Sequence, residues 1–220
     1  MRRSRREFLT AVAGASLVAR ARAADDKDKL PTILKRVEKV FLAPGKMPNG
    51  LQAVEDGLWI LDQEDPNKVH KVRWADGSVL VELQTESLHG SGITYGDGAL
   101  WIASTWGLTT LKIDPKTGKT LATFETPVAG KPRWGQPRRD SGAHGLEWVN
   151  GKYWIAVPPS VTIYQIEPHT GKILHSIPAP GTRPHGIAWD NGFLWCVESN
   201  DRAIYKMDPK DGKLLARIPL

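Results

Sequence analysis

The sequence predicts an all-β protein, a β-propeller with four recognisable four-stranded blades and one additional N-terminal outer strand. Three observations predict this fold. A glycine–tryptophan pair recurs four times, a glycine-containing turn follows each pair, and the repeat period is near forty residues, as in propeller blades. The pairs are Gly50/Trp59, Gly92/Trp101, Gly145/Trp154 and Gly186/Trp195. The turn glycines are Gly77, Gly118, Gly171 and Gly212.

The first segment, residues 1–23, is predicted to be an export signal of the twin-arginine type and is set apart from the fold. Arg5 and Arg6 precede Phe8-Leu9 and an apolar stretch that is shorter than the ~20 residues a membrane span requires. Ala21-Arg22-Ala23 offers a small-x-small cleavage site. The alternatives are an ordinary secretory signal and an uncleaved anchor. The twin-arginine interpretation places the folded protein in a bacterial periplasm or outside the cell, with no membrane span after cleavage.

After this signal, residues 24–34 are predicted to be a linker and residues 35–220 to form the blades. The whole chain has a formal net charge of +6, but the signal holds six arginines and one glutamate. The mature protein is therefore nearly neutral, and its charge gives no reason to expect a nucleic-acid partner.

Repeat four shows the order of elements within a blade most clearly. Residues 185–189 read as an inner strand, and Asp190-Asn191-Gly192 provides the chemistry of a tight hairpin. Bulky apolar residues at 193–197 predict the second strand. Residues 203–207 then form the third strand and residues 214–218 the outer one.

The apolar positions shared by the repeats predict packing of blade against blade, so the tryptophans are interpreted as core residues. The single cysteine, Cys196, excludes an intrachain disulfide. It follows Trp195 at the position where other repeats have Ile60, Ile102 and Ile155. It is therefore predicted to be a small buried apolar residue rather than a nucleophile.

Residues 37–43 resemble the outer strand of a blade whose three inner strands do not precede it in the chain. Two arrangements follow. The chain forms either an incomplete version of a longer ring, with four blades and one orphan strand, or a tight four-bladed ring with a redundant strand. The first is favoured, because an unpaired outer strand is an exposed edge of the kind that proteins normally avoid.

In a four-stranded blade, successive connections alternate between the two ends of the ring. The loops between blades therefore lie at the same mouth, and they bring a cluster of histidines there. His144 and His185 stand immediately before inner strands, and His89 stands two residues earlier in its repeat. Three convergent imidazoles are a candidate site for a divalent metal such as zinc, copper, iron or nickel. The structural alternative, slightly favoured, is that each histidine caps its strand by hydrogen bonding to a neighbouring loop.

An insertion at residues 129–142 separates repeats two and three and is rich in basic residues. Since an arginine fork suits carboxylate or phosphate, the insertion predicts an anionic ligand at the mouth. A solvated, mobile loop is the equally weighted alternative. The candidate ligand-binding residues are Arg133, Trp134, Arg138, Arg139 and, from the next inter-blade loop, Arg183.

Glu147 is the one carboxylate at the second position after the inner-strand glycines, where other repeats have Gln52, Thr94 and Ala188. It is the candidate general base near His144. Its structural alternative is a glutamate paired with a loop arginine.

Two motifs carry a family resemblance: Gly-Ile-x-Trp-Asp-x-Gly-x-Leu-Trp at residues 186–195 and Ile-Asp-Pro-x-Thr-Gly-Lys at residues 113–119. With them, the chain over residues 37–220 resembles bacterial propellers of the streptogramin (virginiamycin B) lyase, gluconolactonase-like and NHL-type group. The motifs are specific for blades. The chain has no Glu-x-His pair that would match that of the lyase, and it has His-Gly in place of the Glu-Gly-Pro of the gluconolactonases.

Two functions of different class follow. In the first, the protein is a non-catalytic exported propeller that binds a small anionic molecule or another protein at the histidine mouth. In the second, which the resemblance implies, it is a metal-dependent lyase or lactonase with His144 and His185 as ligands and Glu147 as base.

Overall fold

The computed structural model describes residues 27–136 and 138–220 of the 220-residue chain. In this part of the chain, four antiparallel four-stranded sheets form a four-bladed β-propeller, which confirms the predicted fold. Blade 1 contains β1 Pro48–Val54, β2 Gly57–Asp62, β3 Lys68–Val72 and β4 Val79–Gln84. Blade 2 contains β5 Gly90–Gly96, β6 Ala99–Ser104, β7 Thr109–Ile113 and β8 Thr120–Glu125.

The last two blades repeat this order, and each sheet runs from an inner to an outer strand. Blade 3 contains β9 Gly145–Val149, β10 Lys152–Val157, β11 Thr162–Ile166 and β12 Ile173–Pro178. Blade 4 contains β13 Pro184–Asp190, β14 Phe193–Glu198, β15 Ala203–Met207 and β16 Leu214–Pro219. Short 3-10 helices lie at Lys27–Lys29 and Pro158–Ser160.

The first hairpin of blade 4 shows why the turn sequences end the strands. Asn191 and Gly192 have φ values of 48° and 86°. A two-residue hairpin turn of type I′ requires positive φ at both central residues, which asparagine and glycine adopt most readily. The predicted hairpin between β13 and β14 is therefore formed.

Apolar residues of the second and third strands pack between successive blades, as predicted. Trp59 lies between blades 1 and 2, Trp101 between blades 2 and 3, and Trp154 between blades 3 and 4, all nearly inaccessible. Cys196 is fully buried among these residues, and burial raises the pKa of its thiol well above the usual range. Its predicted role as a small core residue is confirmed.

The inner-strand glycines recur because the backbone of the next blade lies directly against them. A Cβ at Gly92 would collide with the carbonyl oxygen of His144, and one at Gly145 would collide with that of His185. A side chain at either position would therefore push neighbouring inner strands apart. This close approach fixes the residues just before each inner strand at the mouth of the propeller.

The inner strands do not pack on one another around a complete circle. β1 packs on β5, β5 on β9 and β9 on β13, whereas β13 and β1 share no comparable packing within the described part of the chain. This arrangement agrees with the open arc that the sequence favoured over a tight ring.

The predicted orphan outer strand at residues 37–43 is not formed, which corrects that part of the sequence interpretation. These residues belong to no helix, strand or turn, and the strands of blade 1 begin at Pro48. Within the described part of the chain, no strand lies beside this segment to form ladder hydrogen bonds with it. Upstream of it, Thr32 instead forms a parallel bridge with Arg217 at the outer edge of blade 4.

The predicted export signal at residues 1–23 lies outside the described residues. Within residues 27–136 and 138–220, no helix has the length and apolar character needed to cross a membrane.

Candidate functional site

A cavity of about 320 Å³ opens at the mouth where the inter-blade loops meet the insertion. We call it the mouth pocket. It is lined by Asn49, Gln63, His89, Thr105, Trp106, Pro132, Trp134, Arg138, Arg139, Asp140, Ser141, His144, Arg183 and His185.

The mouth pocket brings together most of the residues that the sequence singled out. All three candidate histidines line it, as do four of the five candidate ligand-binding residues. The fifth, Arg133, is not a lining residue: its Nε donates a hydrogen bond to the carbonyl oxygen of Pro159 at 3.1 Å. This contact ties Arg133 to the short helix of blade 3. The binding and metal-ligating roles of the assembled residues stay predictions.

His144 is the most deeply buried imidazole of the mouth pocket, with 8% of its surface exposed. Its Nε2 lies 3.0 Å from the hydroxyl of Ser141, and its Nδ1 is buried without a hydrogen-bond partner among the described residues. Burial, reinforced by the nearby His185, lowers the pKa of His144 to about 3. The ring is therefore neutral at physiological pH.

His185 stands edge-on to His144, with ring centroids 4.6 Å apart. Its Nδ1 lies 2.8 Å from the hydroxyl of Ser199 and 3.2 Å from the carbonyl oxygen of Arg183. Because a carbonyl oxygen only accepts, the bond to Arg183 requires the proton on Nδ1 and leaves Nε2 as the acceptor of the neutral ring. Burial lowers the pKa of His185 as well.

These contacts agree with the structural alternative for the histidines. Each of His144 and His185 is held by a hydroxyl from a loop, as expected for imidazoles that fix the loops around an inner strand. Such fixed rings still present polar edges to a ligand. In the described ranges, 27–136 and 138–220, no group of three His, Cys, Asp or Glu side chains is arranged to hold a metal ion. The three-histidine metal site stays a prediction.

The third histidine, His89, belongs to a planar stack on the wall of the mouth pocket. Its ring lies parallel to the indole of Trp106 with centroids 3.7 Å apart, and the guanidinium of Arg139 lies 3.9 Å from the centroid of the same indole. The backbone of His89 has φ of 56°, a left-handed conformation that histidine tolerates better than most residues. Its amide donates to the side-chain oxygen of Asn67 at 3.2 Å. Burial, followed by the charge of Arg139, lowers its pKa.

The arginines give the mouth pocket an excess of positive charge. Arg138, Arg139 and Arg183 have no carboxylate within ion-pairing distance among the described residues. The one carboxylate of the lining, Asp140, is paired with Lys131 at 3.1 Å. The guanidinium of Arg183 lies 5.4 Å from the indole centroid of Trp134, and its Nε is buried without a partner in the described structure.

Glu147, the candidate base, lies in β9 opposite Trp154 and is not among the residues that line the mouth pocket. Burial raises the pKa of its carboxyl to about 7. The predicted alternative, a pair with a loop arginine, is not observed within the described part of the chain. Its role as a base stays a prediction.

Two carboxylates that sequence reasoning did not single out as functional hold the loops of the mouth. Asp62, at the end of β2, accepts hydrogen bonds from the amides of Lys46 and Met47 at 2.6 and 3.0 Å. Glu198, at the end of β14, accepts one from the amide of Arg183 at 2.9 Å. Because Asp62 and Glu198 occupy the same position in their repeats, a comparison of the repeats could have identified both carboxylates.

Ser141 and Ser199, whose hydroxyls bond to His144 and His185, could not be identified in this way. Both are serines in loops, where serine is common for many reasons. Trp106 could be placed at the mouth from its position after β6, but its stacking on His89, whose backbone is left-handed, could not be predicted from the sequence.

Comparison with solved structures places the chain among propellers. It is similar to glutaminyl cyclase of Myxococcus xanthus, with a TM-score of 0.68 and 12% identity over 86% of this chain and 78% of the other. It is also similar to virginiamycin B lyase of Staphylococcus aureus, with a TM-score of 0.52 and 22% identity over 79% of this chain. The WD40 propeller domain of Doa1 matches with a TM-score of 0.51 and 16% identity, over 82% of this chain and 71% of that domain.

The match covers 55% of the virginiamycin B lyase chain, so this protein spans little more than half of that enzyme. No protein-family model matches the sequence, and no curated protein matches it. At these identities the similarity concerns the fold. The chain is a β-propeller similar in fold to the streptogramin lyases, as the blade motifs predicted.

Proposed function

We propose that the mouth pocket binds a small organic anion that carries carboxylate or phosphate groups. The observation that supports this most directly is that three arginines, Arg138, Arg139 and Arg183, line one cavity without carboxylate partners in the described structure. Unpaired arginines that face a cavity favour an anionic occupant, since their planar forks match carboxylate and phosphate oxygens.

The size and the walls of the mouth pocket favour a small molecule over a protein surface. Its volume of about 320 Å³ lies within the range of small-ligand sites, and its walls include the indoles of Trp106 and Trp134. The neutral imidazoles of His144 and His185 add polar edges without adding charge. The buried Nδ1 of His144 and Nε of Arg183 have no hydrogen-bond partner in the described structure.

We further propose that the protein acts outside the cytoplasm. This rests on the twin-arginine pattern of residues 1–23, which is a feature of the sequence alone. Binding of a small anion by an exported protein fits a role in capturing such molecules.

The proposal is tested by calorimetric titration of the purified protein with citrate and with inorganic phosphate at low ionic strength. We expect citrate to bind. Arg183→Gln or Arg139→Gln should lower its affinity by roughly ten- to a hundredfold, because a hydrogen bond to a charged group contributes about 1.5–3 kcal/mol.

Arg133→Gln is the matched control. This arginine stands in the same insertion, but its side chain bonds to Pro159 and does not line the cavity, so its loss should leave citrate affinity within about twofold, as is usual for a surface substitution. Equal losses in Arg133→Gln and Arg183→Gln would contradict the proposed site, as would a lack of heat with either anion at millimolar concentration.

A further inference from the structure

A second cavity, of about 290 Å³, lies between blades 1 and 2 at the end of the propeller opposite the mouth pocket. We call it the lower pocket. It opens beside the hairpin between β1 and β2 and the turn between β7 and β8. Since connections between antiparallel strands alternate between the two ends of a blade, these turns lie away from the loops of the mouth. The lining residues are Val54, Asp56, Trp59, Lys71, Val81, Tyr95, Pro115 and Lys116.

The contact between blades 2 and 3 shows what fills the equivalent place. In the strand register, Val54 corresponds to Gly96, and Tyr95 corresponds to Trp148. The indole of Trp148 packs on that of Trp101 with ring centroids 5.5 Å apart, and it lies directly on Gly96, where a Cβ would collide with it. An indole therefore occupies, between blades 2 and 3, the place that is open between blades 1 and 2.

The walls around this place are alike in the two contacts. The Nζ of Lys71 lies 5.5 Å from the ring centroid of Trp59 and 2.6 Å from a carboxylate oxygen of Asp56. In the next contact, the Nζ of Lys112 lies 5.2 Å from the ring centroid of Trp101 and 2.7 Å from a carboxylate oxygen of the first hairpin. The two contacts thus differ in the aromatic ring rather than in the surroundings that receive it.

Tyr95 leaves the lower pocket open. Trp148 and Trp189, at the same position of blades 3 and 4, pack against the buried core of their contacts. Tyr95 is instead 39% exposed and forms one wall of the lower pocket. Val54 contributes to this difference, because a side chain at the position of Gly96 would collide with an indole placed as that of Trp148 is. A free aromatic ring has no backbone attachment and can enter beside the valine.

The charges of the lining favour an acidic ligand. Lys71 is paired with Asp56, whereas Lys116 has no carboxylate within ion-pairing distance in the described part of the chain. Two lysines and one aspartate give the lower pocket an excess of positive charge. A negative group next to the aromatic ring is therefore attracted to the rim.

We propose that the lower pocket is a second binding site, which takes a small aromatic carboxylate of about the size of indole-3-acetate. The ring of the ligand lies between Trp59 and Tyr95, since aromatic pairs are favoured beyond the area that they bury, and the carboxylate reaches the ammonium of Lys116. A volume of about 290 Å³ suits a ring with a short acid chain, at the lower end of small-ligand sites. The site is separate from the anion site of the mouth pocket and does not depend on it.

The test is an NMR titration of the indole N–H signals of the full chain with indole-3-acetate. We expect a 1:1 complex with a Kd on the order of 1 mM or tighter, as a ligand of this size permits. The signal of Trp59 should shift. That of Trp101 should stay in place, because Trp148 already covers it. Trp106 and Trp134 report separately on the mouth pocket.

Lys116→Gln should weaken the binding of indole-3-acetate about threefold, as expected for the loss of an exposed charge pair. Lys119→Gln is the matched control, because Lys119 is exposed in the same turn but does not line the lower pocket, and its loss should leave the affinity unchanged. Indole itself, which has no carboxylate, should bind equally well to the wild-type protein and to Lys116→Gln.

A double variant, Val54→Gly with Tyr95→Trp, rebuilds at the lower pocket the residue types found at Gly96 and Trp148. Its own indole should fill the cavity and abolish the binding of indole-3-acetate. The double variant should melt within about 4 °C of the wild-type protein, since a glycine within a strand costs at most about 1 kcal/mol. Because Lys116→Gln changes an exposed side chain, it keeps the test valid even where the double variant fails to fold.

Several outcomes would overturn the proposal. If Trp106 and Trp134 shift and Trp59 does not, the acid binds in the mouth pocket. Binding that persists in the folded double variant, equal losses in Lys116→Gln and Lys119→Gln, or no shift at millimolar concentration would each show that the lower pocket is not the site. Tighter binding of acetyl-tryptophan amide than of indole-3-acetate would identify the side chain of a partner protein as the occupant. Citrate binding is independent of all these results.

Discussion

The imidazole of His89 lies parallel to the indole of Trp106, with ring centroids 3.7 Å apart and planes inclined by 3°. Blade 2 supplies both residues, from the loops that flank β5 and β6, and the insertion adds Arg139 to the same indole. The stack joins the loop before β5 to the loop after β6, and Arg139 contacts it from the insertion at the edge of the cavity. It links the architecture of the blade to the proposed anion site.

Trp106→Ala should weaken citrate binding by about fivefold, since the cation–π contact that holds Arg139 contributes about 1 kcal/mol at an exposed site. Calorimetric titration measures this change. Trp74→Ala is the control, because Trp74 is similarly exposed, at 45% against 44%, but lies in the last turn of blade 1. An unchanged affinity in Trp106→Ala would show that the stack does not position Arg139 for binding.

His144→Gln should flatten the acid side of the stability profile. The unfolded chain takes up a proton on this ring near pH 6.5, and the folded chain does so near pH 3. The free energy of unfolding therefore falls as the pH is lowered through this interval, by up to about 1.4 kcal/mol per pH unit from this ring. Urea unfolding between pH 4 and pH 7 measures the slope. An identical slope in the variant would contradict a buried, neutral His144.

Glu147→Gln should flatten the alkaline side of the stability profile, whereas His144→Gln flattens the acid side. Burial raises the pKa of this carboxyl from 4.5 to about 7, so the folded state binds its proton more tightly than the unfolded state. The free energy of unfolding then decreases as the pH rises from 4.5 past 7, where the buried carboxylate is charged. The amide variant should exceed the wild-type protein in stability by on the order of 2 kcal/mol at pH 8 and match it at pH 4. Thermal melts at the two pH values check the crossover.

Asp62→Ala should destabilise the protein by about 2 kcal/mol, because the amides of Lys46, Met47 and Glu64 lose a charged acceptor. Asp56→Ala is the control: its exposed pair with Lys71 is screened by solvent and should contribute less to stability than the bonds of Asp62. Denaturant titration compares the two. A larger loss in Asp56→Ala would show that Asp62 does not anchor the segment before β1.

The blades could be predicted from the sequence because their signals are local. Paired residues such as Asn191-Gly192 specify a turn through their own backbone preferences, and alternating apolar residues specify which faces are buried. The recurrence of these signals in four repeats then defines the propeller. The position of the three histidines at one mouth followed from the topology alone.

The parts that could not be predicted depend on contacts between distant segments. Residues 37–43 have the composition of an outer strand, but a strand forms only where a neighbour offers hydrogen bonds. Arg133 and Arg138 look equivalent in sequence, yet Arg133 bonds to Pro159 while Arg138 lines the mouth pocket. Ser141 and Ser199 become important only because the folded chain places a histidine beside each.

The most direct test of the anion site is a nitrogen-detected NMR titration of the imidazole side chains with citrate. The chain contains six histidines, of which His89, His144 and His185 line the mouth pocket. We expect the ring signals of these three to shift with citrate, and those of the internal references His70, His169 and His175 to stay in place. Shifts of all six alike, or of none, would contradict binding of the anion in the mouth pocket.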